Sequence, residues 1–234
     1  MRSLLLAIQF LTRLPTPRIA ATDADFAASM RWFPLVGLLI GALVAGAAAL
    51  AGRGDAWLGA LAGLVVWVGV TGALHLDGLA DLADARGAAH GDPARLRAVL
   101  ADPHVGSFGV VAIGVQLIAK LVLLHALIAA AGWAPLVLAP FSARIGPLVW
   151  TRWLPPLHAG LAARFRETVR PVDLAAWGLV LLAAAYVWPI ILVTPLLLAG
   201  WGLYLRRAFG GVSGDAHGAG IELVETLLLV LAVA

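Results

Sequence analysis

Three aspartates stand four and then three residues apart in the stretch His75-Leu76-Asp77-Gly78-Leu79-Ala80-Asp81-Leu82-Ala83-Asp84. On a helix, Asp77, Asp81 and Asp84 share one face. Three carboxylates there repel one another, and a divalent cation would relieve the repulsion. The chain has no cysteine, and oxygen-only donors favour Mg²⁺ or Mn²⁺ over zinc. The plainer alternative is a solvated acidic turn that starts a helix at a membrane surface. A second group runs from Gly210 through Gly211, Gly214, Asp215 and His217 to Glu222 and Glu225. Glycines let backbone N–H groups approach an anion, and the helix that follows offers its positive end. Asp215, Glu222 and Glu225 add oxygen ligands, the last two on one helical face. Its alternative is a flexible loop with acids favoured by the helix dipole.

Asp102 lies in Leu100-Ala101-Asp102-Pro103-His104, just before an apolar segment. It is either part of a substrate site or an ordinary N-cap followed by proline. Lys120 and Arg144 sit inside apolar segments, where charge is costly and marks a polar interior or a functional path. Arg144 can clamp a phosphate bidentately and Lys120 can hold one as a point charge. Pairing of each with a carboxylate is the structural alternative. His75, His104 and His217 each stand near an acid and can ligate or carry a proton. Acids for a metal, a glycine-rich anion loop and cationic side chains are what transfer of a phosphate group needs.

The elements that must position these residues are written in the composition. Of 234 residues, 62% are hydrophobic and 12% are charged, against ~25% charged in a soluble domain. A soluble chain this poor in charge would expose large apolar patches, so lipid is the expected solvent. Six or seven spans of ~20 residues leave no room for a separate catalytic domain, and residues 1–234 read as a single integral-membrane catalytic domain. The expected fold is all-α: a polytopic membrane helical bundle of about seven spans, with an amphipathic N-terminal segment at the surface. The spans are 32–51, 56–74, 105–131, 134–151, the run 172–205 broken at Trp188-Pro189 into two, and 221–234. That last piece is only ~21 Å long at 1.5 Å per residue, so it begins inside the glycine-rich loop or spans incompletely. Gly37 and Gly41, then Gly59 and Gly63, give small-xxx-small pairs for close helix packing.

The remaining polar segments are the N-terminus, 75–104, 152–171 and 206–220. With seven spans they share one side, together with nearly every arginine, while the other side carries only Arg53. The positive-inside rule puts that rich side in the cytoplasm. The basic residues are spread among apolar segments rather than gathered in a stripe, which argues against a nucleic-acid partner.

At these residues the sequence resembles the cobalamin synthase family, the adenosylcobinamide-GDP ribazoletransferases, in order along nearly the whole chain. Phe10-Leu11-Thr12-Arg13-Leu14-Pro15 matches the opening, and Trp32-Phe33-Pro34-Leu35-Val36-Gly37 the next block. The His75 to Asp81 stretch with Asp84 matches the most specific motif. Gly211 to Asp215 with Gly218, Ala219 and Glu222 matches the C-terminal block, with Ser213 where Thr is usual. One block departs: Leu100-Ala101-Asp102-Pro103-His104 stands where the family usually has Met-Lys-Asp-Ser-Arg, so two cations are replaced.

The resemblance implies Mg²⁺-dependent joining of adenosylcobinamide-GDP to α-ribazole, or its 5′-phosphate, with release of GMP. It implies that Asp77, Asp81 and Asp215 hold Mg²⁺ with Asp84 and Glu222 as further ligands. Asp84 or a histidine, His75 or His104, accepts the hydroxyl proton. Arg144 and Lys120 hold phosphate, with Asp102, Gly211 and Gly214 also at the substrate. The expected location is the bacterial cytoplasmic (inner) membrane, multi-pass in the lipid bilayer, with the site facing the cytoplasm; a homo-oligomer is left open. The alternative is a membrane transporter whose acids form an ion pathway. Pro189 and Pro195 interrupt one apolar run as such a pathway would require, but the acids cluster at one face rather than at mid-membrane breaks.

Overall fold

In a computed structural model, residues 2–89, 92–100, 102, 104–157, 165, 166 and 168–234 are described. Positions 101 and 103 of the departing block, and Arg164 with the rest of 158–164 in the second polar loop, lie outside the described residues. The helices are α1 (Arg2–Leu11), α2 (Asp23–Ala27), α3 (Phe33–Ala51), α4 (Ala56–Thr71), α5 (Leu74–Ala89), α6 (Pro93–Leu100) and α7 (Ser107–Ala129), followed by α8 (Trp133–Ala143), α9 (Gly146–Trp153), α10 (Pro171–Ala184), α11 (Thr194–Ala208) and α12 (Gly214–Val233). Short 3₁₀ turns cover Ala28–Trp32 and Pro189–Val193. Among the described residues there is no strand, only an isolated bridge between Pro156 and Val212.

This is an all-α membrane helical protein. Among the described residues, four helical stretches are long and apolar enough to cross a bilayer: Asp23–Ala51, Ser107–Ala129, Pro189–Ala208 and Gly214–Val233. The bent pair α4 and α5 would make a fifth. The difference from seven has local causes. The segment expected as one span at 134–151 is divided at Arg144-Ile145 into α8 and α9, of 11 and 8 residues. Helix α10 has 14 residues, short of the ~20 a span needs. The apolar run does break before Pro189, as expected.

Two expected loops are helical. The stretch after residue 74 continues as α5, whose axis turns 84° from α4. The turn is made by two successive left-handed residues, Gly72 (φ 61°) and Ala73 (φ 58°). A side chain at Gly72 would collide with that of Arg13, whose N–H also donates to the Val70 carbonyl at 2.7 Å. The N-terminal segment is thus fastened to this corner. The C-terminal helix begins well inside the glycine-rich segment: Ser213 caps α12 by accepting from the Ala216 N–H at 3.1 Å. Starting at Gly214 gives it 20 residues, enough to span.

Small residues set the helix spacing. A Cβ at Gly37 would overlap the Pro140 carbonyl oxygen, and one at Gly41 would lie 2.6 Å from the Val137 carbonyl oxygen. So α3 lies directly against the backbone of α8. Gly59 on α4 meets Gly52 in the same way. The core gathers Phe33, Ile40 and Val44 of α3 with Leu136 and Phe141 of α8, Leu124 of α7 and Leu228 of α12. Val110, Val111, Val115, Ile118 and Val122 of α7 stay exposed, as expected of side chains that face lipid.

Gly37→Val should therefore force α3 off α8 and lower the thermal unfolding temperature in detergent, at a cost of roughly 1–3 kcal/mol or more. Gly46 has no neighbour within 4 Å of a built Cβ. Gly46→Ala should be neutral or stabilising by up to about 1 kcal/mol, and equal effects of the two changes would refute the packing assignment.

Candidate active site

Helices α5 and α12 approach through glycine. A Cβ at Gly78 would lie 2.6 Å from the Asp215 carbonyl oxygen, and one at Gly218 would lie 3.2 Å from the His75 Cα. This contact brings the two motifs, distant in sequence, to the walls of one cavity of about 150 Å³. His75 and Asp77 of α5 face it from one side, and Gly214, Asp215 and His217 of α12 from the other. Phe10 and Leu11 of α1, with Phe33 and Phe165, close it with apolar surface. Phe10 stacks on Phe33 with ring centres 5.9 Å apart and meets Phe26 edge-on at 5.3 Å.

The three aspartates of α5 are not alike. The negative charge of Asp215 bears on Asp81 most strongly among its neighbours, followed by Asp77 and Asp84. Four carboxylates therefore share one electrostatic neighbourhood. Asp84 is already engaged: its oxygens accept from the Gly106 N–H at 2.7 Å and the Gly109 N–H at 2.9 Å. Those donors are the open first-turn groups of α7, so a buried carboxylate sits at the positive end of that helix. Side chains at Gly106 or Gly109 would run into the Asp84 carboxylate.

Asp102 and His104 pair with each other. The His104 Nδ1 lies 2.6 Å from the Asp102 carboxylate and its backbone N–H donates at 3.0 Å. The side-chain hydrogen bond from His104 holds the Asp102 carboxyl below its usual range. Both side chains are exposed, and neither lines the cavity.

Lys120, Arg144 and Glu222 lie in a buried ionic network with Glu225, all at or below 3% exposed. Lys120 Nζ lies 2.8 Å from Glu222 and 2.6 Å from Glu225. Arg144 Nη1 donates to the second Glu225 oxygen at 2.7 Å and to the Pro140 carbonyl at 2.9 Å. Gln116 donates to Glu222 at 2.7 Å, and Lys120 sits 4.1 Å over the Trp67 ring. The two cations and two carboxylates balance, so the geometry is that of carboxylate pairing, the structural alternative for both cations.

Of the two glycines, Gly214 lines the cavity. Gly211 instead packs on the Pro155 carbonyl, where Val212 N–H donates to that same oxygen at 2.9 Å. Among the described residues no three His, Asp or Glu side chains already converge as a metal cage. The cavity nonetheless presents two carboxylates, Asp77 and Asp215, beside the His75 and His217 rings. Mg²⁺ characteristically takes one or two carboxylates and completes its shell with water and phosphate oxygens, which this arrangement fits.

Sequence reasoning took Glu225 for an oxygen ligand rather than for the partner of two cations, and did not select Gln116, Phe10 or Leu11 for a site. Glu225 had a signal, its three-residue spacing from Glu222, but the cations that need it are on other helices. Nothing in the N-terminal segment distinguishes a cavity wall from a surface anchor. His217 stood out only as a histidine near an acid; its Nε2 lies 3.2 Å from the Thr151 hydroxyl, and its ring stacks on Trp150. Further along α5 and α12, a second and more open hollow of about 470 Å³ is lined by Leu79, Leu82, Phe108, Tyr204 and Leu223, with Arg86 among them.

A family model described as cobalamin-5-phosphate synthase matches residues 3–233. A protein of Novosphingobium aromaticivorans named adenosylcobinamide-GDP ribazoletransferase is 66% identical over 98% of this chain and 95% of its own. Proteins of the same name from Laribacter hongkongensis and Thiobacillus denitrificans are 54% and 50% identical, over 100% and 99% of this chain and 97% and 95% of theirs. No solved structure is matched.

Removing one member of a buried ion network leaves its partners uncompensated, a loss of about 3–5 kcal/mol. Glu225→Leu should accordingly unfold at much lower temperature in detergent. A variant as stable as the parent would show that the network does not hold the helices together.

Proposed function

The chain belongs to the cobalamin-5-phosphate synthase family, and from that premise we propose that it carries out the transfer its relatives are named for. The chain is a transferase of cobalamin synthesis. The proposed reaction moves the adenosylcobinamide-phosphate group from adenosylcobinamide-GDP to α-ribazole, or its 5′-phosphate. A ribose hydroxyl attacks the phosphorus nearer the cobinamide, the bond from that phosphorus to the GMP oxygen breaks, and GMP leaves. Adenosylcobalamin, or its phosphate, is formed.

The observation that carries this reading is the meeting of Asp77 and Asp215 at one cavity beside His75 and the start of α12. The amide end of α12 suits a phosphate. Asp77, Asp81 and Asp215 would hold Mg²⁺, with water and pyrophosphate oxygens completing its shell. Bound there, Mg²⁺ would neutralise pyrophosphate charge and stabilise the departing phosphate. Asp84 and Glu222 are better read as supports, since α7 engages the first and Gln116 with Lys120 the second. Phosphate contact by Lys120 and Arg144 is replaced in this reading by their pairing with Glu222 and Glu225. Among the three residues considered for handling the proton, Asp84 is occupied and His104 lies outside the cavity; His75 lines it.

The cavity is bordered by the end of the N-terminal helix and by the start of α5, and we place that end of α5 at one membrane face. The arginine-rich segments favour the cytoplasmic face of the inner membrane for that end, with residues 1–234 as one catalytic unit. Family membership removes the ground for an ion-transport reading.

Purified protein given adenosylcobinamide-GDP, α-ribazole and Mg²⁺ should release GMP in step with cobalamin formation. EDTA should stop it, and Asp77→Ala should reduce it by roughly 100-fold or more, at least the loss seen when a metal site's supporting residues are removed. Activity surviving in both Asp77→Ala and Asp81→Ala would refute the metal assignment. Ion uptake into sealed vesicles without GMP would restore the transporter.

A further inference from the structure

His75 has one ring nitrogen accounted for and one open. Its Nδ1 lies 3.3 Å from Arg144 Nη2. A guanidinium has donors only, so Nδ1 must present its lone pair, and the proton of the neutral ring is then on Nε2. That Nε2 is buried and has no hydrogen-bond partner among the described residues, and the residue is only 3% exposed. A buried N–H without an acceptor is rare and asks for an explanation. The side chain lines the cavity that Asp77, Asp215 and Gly214 share.

The arginine that sets this arrangement is itself immobilised. Its Nη1 donates to Glu225 and to the Pro140 carbonyl, and Glu225 is held from its other oxygen by Lys120 at 2.6 Å. A chain of contacts therefore runs from Lys120 on α7, through Glu225 on α12 and Arg144 after α8, to His75 on α5. Its last member offers an N–H with nothing among the described residues to receive it. The open acceptors expected at this cavity are phosphate oxygens.

We propose that His75 binds substrate by donating its Nε2–H to a phosphate oxygen in this cavity, and that Arg144 is a positioning residue that fixes the required tautomer. The substrate half of this rests on the phosphotransfer reading above; the tautomer half does not. With its open nitrogen already carrying hydrogen, His75 acts on the phosphate rather than as the base, and the ribose proton passes to a carboxylate of the cavity, Asp77 or Asp215.

The test uses the full-length protein, ¹⁵N-labelled at histidine, in lipid nanodiscs. Long-range ¹⁵N–¹H correlation distinguishes the two neutral tautomers, and His75→Gln identifies the His75 signals by their loss. The expected result is hydrogen on Nε2 in the parent and loss of that preference in Arg144→Met. Hydrogen on Nδ1 in the parent would overturn the proposal. Addition of Mg²⁺ with inorganic pyrophosphate should shift the Nε2 resonance, and an unmoved resonance would overturn the contact. In turnover, a Gln amide reaches toward the position of Nε2, whereas an Asn amide lies nearer that of Nδ1. At matched thermal stability, His75→Asn should be at least about tenfold slower than His75→Gln, the scale of one hydrogen bond to a charged group. Equal rates would count against the donor role. If the parent forms no GMP from adenosylcobinamide-GDP, the phosphotransfer reading falls while the tautomer result stands.

Discussion

Charge inside a membrane protein must be neutralised by the protein itself, because hydrocarbon supplies neither water nor counterions. Lys120, Arg144, Glu222 and Glu225 meet that requirement only as a set. Each carboxylate is on α12, Lys120 is on α7, and Arg144 follows α8. Separating any one of these helices would strand a buried charge. The position of α12 is fixed by this requirement, and α12 is the helix that carries Asp215 and Gly214 to the cavity. The reach of the network to His75 fastens α5 to the same frame. The side chains of the candidate site stand on helices whose relative position is fixed by electrostatics in the dry interior.

Glycine supplies the other half of the arrangement. The α5–α12 contact is close enough that a methyl group at Gly78 would strike the Asp215 backbone. This explains the glycine content of the C-terminal motif differently from an anion cradle. Gly218 serves helix packing while also lining the cavity, Gly211 serves the contact with Pro155, and Gly214 borders the cavity with open space where a side chain would stand. The same residue type thus does three different things within eight positions, and only spatial neighbours tell them apart.

Legibility in the sequence followed the range of the interaction. The all-α membrane class, the Gly37/Gly41 packing face and the break before Pro189 are local matters of composition and spacing, and were readable. So was the common face of Asp77, Asp81 and Asp84. The helical state of α5 was masked by its polarity: a stretch with three aspartates resembles a loop until the helix it packs on is known. Helix α12 was legible only in its apolar half. The pairing of Lys120 and Arg144 with acids about 80 to 105 positions away could be named as an alternative but not chosen, because no spacing rule links residues on different helices. The N-terminal helix was read from its amphipathic pattern as a surface anchor, yet Phe10 and Leu11 also form a cavity wall, a role that depends on where Arg13 fastens.

The three aspartates of α5 show how equivalent residues acquire unequal roles. By spacing alone they are one set of ligands. The first turn of α7 takes the third, because its unsatisfied amides at Gly106 and Gly109 need an acceptor and Asp84 supplies both oxygens. The charge of Asp84 is then offset by a helix terminus rather than by a cation. In the proposed site, what a metal would then neutralise is the charge of Asp77, Asp81 and Asp215, less than the motif taken whole would demand. A divalent ion over two or three carboxylates keeps coordination positions open for a pyrophosphate, whereas a fourth carboxylate would compete with the substrate for them. Engaging Asp84 elsewhere thus favours a site that is completed by its substrate.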